Sequence, residues 1–199
     1  MFLMSTIKYP GAQHPVIKGS NVMDHHSKRG MFLENDVNES NQYYRECKRA
    51  LIYKKPTPVQ VVRVDYPARN KAKIVEAYYR TPSTTDYNGV YRGKYLDFEA
   101  KETKNKTQFP ISMIHSHQIE HLKGVKYHGG IGFFLIRFNS HDKTFLIDSA
   151  DLILAIEKAE KSFIPYMWFE KNGIVIKEGL YPRLSYLDAV DAKYFKEDN

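Results

Sequence analysis

Tyr95-Leu96-Asp97-Phe98-Glu99-Ala100-Lys101 alternates strictly between apolar and charged residues. Leu96, Phe98 and Ala100 fall on one side and Asp97, Glu99 and Lys101 on the other, the period-two signature of a β-strand with one side turned to a core. Residues two apart on a strand share a face, so a carboxylate and an ammonium, Glu99 and Lys101, are held side by side.

Working outward, the turn formers in Tyr87-Asn88-Gly89-Val90 and Arg92-Gly93-Lys94 let the preceding chain fold back on this strand. Downstream, Pro110 opens an element in which Ile111, Ile114, Gln118, Leu122 and Val125 recur at spacings of three and four, which predicts a helix with Gln118 on its apolar side. Gly130 to Phe138 is almost continuously apolar and reads as a strand covered on both faces. Thr144 to Ile147 is a further strand, and Asp148 or Ser149 caps a helix running to about Lys161. From Phe163 to Asn199 the pattern gives only short strand signals and a turn at Asn172-Gly173.

Upstream, a helix is expected from about Met31 to Leu51, stopped by Lys54-Lys55-Pro56-Thr57-Pro58. Two β-rich runs, Val59 to Val64 and Ile74 to Tyr79, then flank a segment carrying Arg69, Lys71 and Lys73. They predict a long exposed hairpin with a basic tip, since Pro67 and the charges resist burial. On the residues alone, that tip is either a solvated turn or a contact for a polyanion. Residues 1–28 form a basic, histidine-bearing arm without apolar periodicity, expected to be flexible. The fold class is therefore mixed α/β: a central mixed sheet flanked by helices, with a protruding hairpin.

The chain has 199 residues, 42% of them hydrophobic and 27% charged, which suits one globular core. Thirty Lys and Arg against 23 Asp and Glu leave a net charge of +7. Such a surface attracts nucleic acid first, and anionic membranes second. Cys47 is the sole cysteine, expected to be a small buried or half-buried residue, so neither a disulfide within the chain nor a cysteine zinc site is available. With no apolar run of membrane-spanning length, a cytoplasmic setting is expected and a membrane is not.

The chemistry lies in Asp86, Glu99 and Lys101. With the turns between them, Asp86 reaches the face of Glu99, and two carboxylates there repel unless a cation lies between them. Oxygen donors completed by the Thr84 hydroxyl or carbonyl, the Gln118 amide and water suit Mg²⁺, with Mn²⁺ able to substitute. Phosphodiester cleavage uses what such a cation supplies, and Lys101 adds a positive charge beside the attacking water or the phosphorus. Asp97 shares the face, in a supporting place and not as a ligand. A salt-bridged strand face and a hydrogen-bonded core glutamine are the ordinary alternatives for the same residues. His115, His117, His121 and His128 point around a helix and read as surface or DNA-facing histidines, not as a metal cluster.

Thr84-Thr85-Asp86-Tyr87-Asn88-Gly89, followed by Asp97-Phe98-Glu99-Ala100-Lys101-Glu102-Thr103-Lys104-Asn105-Lys106-Thr107, resembles the RecU family of Holliday-junction resolvases, within the PD-(D/E)xK, restriction-endonuclease-like nucleases. The resemblance continues through Lys54-Lys55-Pro56-Thr57-Pro58-Val59-Gln60, His117-Gln118-Ile119-Glu120-His121, Arg29-Gly30-Met31 and, near the end, Tyr181-Pro182-Arg183-Leu184. It implies magnesium ligands at Thr84, Asp86, Glu99 and Gln118 and a transition-state-stabilising Lys101. It further implies a homodimer that nicks two opposed strands of a four-way DNA junction in recombination and repair. The hairpin then corresponds to a stalk entering the junction, with Arg69, Lys71 and Lys73 on DNA, and Arg29 to an arginine linked to junction binding and partner modulation. A recombinase and a branch-migration helicase are the protein partners this implies. The domain reading is an arm over 1–28 and one nuclease domain over 29–199, with the stalk inserted at about 59–79. The competing expectations are a nuclease of the same superfamily on another DNA substrate and a non-catalytic junction-binding protein.

Overall fold

The computed structural model describes residues 33–68, 70–80 and 84–195. Of the residues expected to touch DNA, Arg29 and Arg69 lie outside this set, as does the arm over residues 1–28.

A six-stranded mixed sheet forms the centre, in the order β1 (Leu51–Lys54), β4 (Tyr87–Tyr91), β5 (Lys94–Thr103), β7 (Ile131–Phe138), β8 (Lys143–Asp148) and β10 (Ile174–Val175). Only β5 and β7 pair in parallel, from Leu96 opposite Ile131 to Thr103 opposite Phe138; the other neighbours are antiparallel. A parallel pair needs a crossover, and here it runs through the short strand β6 (Gln108–Pro110), a 3₁₀ turn at Ile111–Met113 and helix α2 (Ser116–Tyr127).

Two apolar layers sandwich the sheet. On one side Leu96, Phe98, Phe133, Leu135 and Leu146 pack with Leu33, Val37 and Tyr44 of α1 (Leu33–Glu46) and Tyr186, Leu187 and Val190 of α5 (Tyr186–Tyr194). On the other, Phe134, Ile136, Phe145 and Ile147 pack with Leu122 of α2, Leu152 of α3 (Ser149–Glu157) and Phe169 of α4 (Tyr166–Asn172). All eight residues of β7 are buried, as its nearly continuous apolar run predicts, and Arg137 is buried with them. The expected architecture, a central mixed sheet between helical layers, is what the chain forms.

Several elements differ from their expected form. The strand expected over Tyr95 to Lys101 is longer, and on its charged side Asp97 and Glu99 are buried too, because α2 packs against it, while Lys101 is half-buried. Tyr87 to Val90 is a strand, not a turn. Gly89 is there because a Cβ would stand 2.2 Å from the Leu51 carbonyl oxygen of β1, closer than any side chain permits. The turn itself is Arg92-Gly93, both at positive φ (48° and 74°), the conformation that favours a tight hairpin between β4 and β5.

The first helix ends at Glu46, since Lys48 adopts a left-handed φ of 57° and the chain then enters β1. Cys47 is exposed just past that end, not buried. Pro110 closes β6, pairing with Phe163 of β9 (Phe163–Pro165) in a two-stranded ribbon whose edge tolerates a missing donor, and leads directly into the 3₁₀ turn, while α2 itself starts later, at Ser116. Asp148 caps α3 as expected, accepting from the Ala150 and Asp151 amides at 2.9 and 3.3 Å, but the helix stops at Glu157. The C-terminal stretch holds α4 and α5 besides its short strands; both are short helices whose apolar residues do not show a long period.

β2 (Val59–Asp65) and β3 (Lys73–Tyr79) pair only with each other, from Val59 opposite Tyr79 to Asp65 opposite Lys73. Nearly every residue of this hairpin is exposed, even Tyr66 and Tyr79, as expected of a protrusion. Among the described residues no helix is long and apolar enough to cross a membrane.

Candidate active site

β5 presents Glu99 and Lys101 toward α2, the side opposite Phe98 and α1. The Lys101 ammonium lies 2.6 Å from Glu99 Oε1, and the Asp86 backbone N–H donates to Glu99 Oε2 at 3.0 Å. Asp86 thus reaches β5 from the segment that leads into β4, as the turn residues between them allow. Glu99 is only 1% exposed. Burial above all, and the charge of Asp86, push its carboxyl up to about 7, against the lowering pull of Lys101.

Gln118, in the first turn of α2, is buried, and its Oε1 accepts the His115 backbone N–H at 3.0 Å. It therefore stitches the helix start while keeping a second lone pair on the amide oxygen. Thr84 lies in a bend two residues before Asp86, half-buried, its hydroxyl donating to the Thr85 carbonyl at 3.4 Å. The structure brings Asp86, Glu99 and Lys101 into direct contact and sets Gln118 in the helix packed on that side of the sheet.

Among the described residues no group of three or more His, Cys, Asp or Glu is arranged to hold a metal. His115 and His117 stack on each other at 5.4 Å. Lys71 and Lys73 are exposed at the far end of the hairpin.

Sequence reasoning missed the surroundings of Asp97. This carboxylate is fully buried and gathers Lys55, Thr85, Tyr95 and His121 around it. Lys55 stands in a helix stop and in one of the runs that carry the resemblance, and nothing local ties it to a residue 42 positions away.

The pH dependence of stability follows from Glu99. Its carboxyl ionises near the ordinary 4.5 when the chain is unfolded and near 7 in the fold. Its contribution is therefore fully present below pH 4.5 and is lost as pH rises through 7, amounting to roughly 3 kcal/mol at about 1.4 kcal/mol per pH unit. With a chelator present, thermal unfolding of wild type should fall behind that of Glu99→Gln as pH is raised from 5 to 8. Parallel profiles would remove Glu99 as the source.

A carboxylate pair with a lysine on a strand of a helix-flanked mixed sheet is the arrangement of the PD-(D/E)xK class of phosphodiester-cleaving enzymes. Residues 28–192 match the family model RecU, Recombination protein U. The chain belongs to the RecU family. A Holliday junction resolvase RecU from Geobacillus kaustophilus is 54% identical over 173 residues, covering 85% of this chain and 86% of that relative. One from Oceanobacillus iheyensis is 49% identical over 199 residues, covering 95% and 100%. Among solved structures, a Holliday junction resolvase from Archaeoglobus fulgidus aligns over 70% of this chain and 93% of its own, with a TM-score of 0.40 and 12% identity.

Proposed function

We propose that this chain is a structure-specific endonuclease that resolves four-way DNA junctions by paired symmetric nicks, with Mg²⁺ as cofactor and Mn²⁺ able to substitute. The observation that carries this reading is the direct contact of Asp86 and Lys101 with a single buried carboxylate, Glu99. Relatives about half identical over most of their length are Holliday junction resolvases, which gives the substrate.

The donor set fits a hard divalent cation. A buried carboxylate held up near 7 beside a second carboxylate is one that a cation would relieve. Asp86, Glu99, the Gln118 amide oxygen and Thr84 supply the oxygen ligands that Mg²⁺ prefers. When bound, the cation supplies a polarised phosphoryl oxygen and an activated water. Lys101 keeps its ammonium beside Glu99 and offsets the negative charge that gathers at the phosphorus as the attacking oxygen adds. α2 and β7 bury the base of the site, so these charges act in a medium of low polarity.

The active form in this reading is a homodimer, with one site for each of two opposed strands, working in the cytoplasm alongside a recombinase and a branch-migration helicase. The hairpin β2–β3 is the stalk: a junction offers a central opening that a duplex lacks. Arg29, Arg69, Lys71 and Lys73 contact the DNA.

The test is cleavage of synthetic junction, duplex and single-stranded DNA with and without magnesium. Cutting confined to the junction and to magnesium is expected, with two nicks placed symmetrically; equal cutting of duplex would overturn the choice of substrate. Replacing Arg69, Lys71 and Lys73 together by Ala should weaken binding to the junction far more than to a matched duplex at one fixed salt concentration. Equal losses on both would reduce the tip to a general electrostatic surface.

A further inference from the structure

We infer that Asp97 is a positioning residue, whose carboxylate locks the Thr84–Asp86 segment and α2 against β5 and so sets the geometry in which Asp86, Glu99 and Gln118 meet a cation. The inference rests on the proposed reading of that site.

Asp97 stands two residues before Glu99 on the same face of β5 and is fully buried. A buried carboxylate is tolerated only when it is well hydrogen-bonded, and this one has four partners. Thr85 donates its hydroxyl to Oδ1. Around Oδ2 stand Lys55 Nζ at 2.7 Å, the Tyr95 hydroxyl at 2.8 Å and His121 Nε2 at 3.0 Å. Three of the four partners crowd onto Oδ2 and the fourth, Thr85, holds Oδ1, so the carboxylate is committed to tying segments together.

Those partners come from the very segments that carry the site. Thr85 lies between Thr84 and Asp86. Lys55 grips the same segment twice more, its Nζ on the Thr85 hydroxyl oxygen at 3.0 Å and its backbone N–H on the Asp86 carbonyl at 2.7 Å. His121 is three residues after Gln118, on the neighbouring turn of α2. Burying such charges adds little net stability, because desolvation offsets their attraction; what the cluster supplies is a fixed direction for each segment.

Asp97→Asn keeps the shape and one acceptor but sets an amide against the Lys55, Tyr95, His121 or Thr85 donors. Direct calorimetric titration of the DNA-free protein with Mn²⁺ should show affinity lowered about 10- to 100-fold, the range found when the groups that orient metal ligands are removed. The magnesium concentration for half-maximal junction cutting should rise in step, with the rate at saturation largely restored. Thr85→Val should reproduce the loss and Thr85→Ser should retain near wild-type affinity, which keeps the test alive if Asp97→Asn fails to fold.

Unchanged Mn²⁺ affinity in both Asp97→Asn and Thr85→Val would overturn the inference, leaving the cluster purely structural. Loss of cutting by Asp97→Asn at every magnesium concentration would overturn it differently, making Asp97 a ligand. Metal-independent cutting by wild type would instead overturn the reading of the site itself.

Discussion

Asp86→Ala and Glu99→Ala are expected to abolish strand cutting while leaving junction binding in a chelator close to wild type. The two effects separate because affinity for DNA is expected mainly from phosphate contacts spread over a surface of net charge +7, whereas in the proposed reading cutting depends on the one point where Asp86, Glu99 and Lys101 converge. Removing Glu99 takes away both the proposed anchor for a cation and the partner that orients Lys101. The fall should therefore exceed the roughly 10²- to 10³-fold lost with a single charge-stabilising donor, which is the size expected for Lys101→Ala. Single-turnover cutting of a labelled junction, read beside a gel-shift titration at the same salt, measures both quantities. Either carboxylate variant cutting near the wild-type rate would remove that residue from the site.

The largest effect on stability is expected at the opposite face of the sheet. Arg137 of β7 is 7% exposed and Asp36 of α1 is 3% exposed, and they meet at 2.6 Å. Arg137 also reaches Glu178 at 3.1 Å and the Thr144 hydroxyl oxygen at 2.9 Å, while Arg183 approaches Asp36 at 3.3 Å. Truncating one member strips a buried charge of its shortest partner and leaves only the longer contacts to Glu178 or Arg183, which costs up to about 3–5 kcal/mol. For a domain of this size that is a fall in Tm of roughly 6 to 20 °C for Arg137→Ala or Asp36→Ala. Replacing both residues together by apolar ones should cost much less than the sum of the single losses, because the charges then left, Glu178 and Arg183, are partly exposed to water. Thermal unfolding of the singles and the double gives the answer; additive losses would show that the two do not act as a unit.

This network also accounts for Tyr181-Pro182-Arg183-Leu184. Besides the Arg183 contact with Asp36, the Leu184 amide donates to Ser40 Oγ at 2.8 Å and the Tyr44 hydroxyl donates to the Leu184 carbonyl at 2.8 Å. The motif fastens the C-terminal segment onto α1, about 140 residues earlier in the chain, and has no part in the proposed chemistry.

Much was legible in advance because its signal is local. Strict alternation from Tyr95 to Lys101 put Glu99 and Lys101 on one face, and side-chain direction along a strand holds whatever the rest of the chain does. The apolar run from Ile131 to Ile136 required cover on both faces. Charges and Pro67 kept the β2–β3 hairpin out of the core. Boundaries were less secure where two local signals competed. Asn88-Gly89 reads as a turn, yet Gly89 serves the close approach of two strands; Pro110 suits a helix start, yet ends an edge strand.

The sequence by itself determined the strand that carries Glu99 and Lys101, the individual strands and helices of a mixed fold, and the hairpin, since each follows from spacing within about ten residues. Only the tertiary structure decided how buried Glu99 is, and with it a carboxyl raised to about 7. It alone brought Lys55 and His121 to Asp97 and Asp36 to Arg137, across 42, 24 and 101 residues. A side chain's period is set by its own backbone, but desolvation and ion pairing depend on which distant elements pack against it, and no local pattern encodes that order.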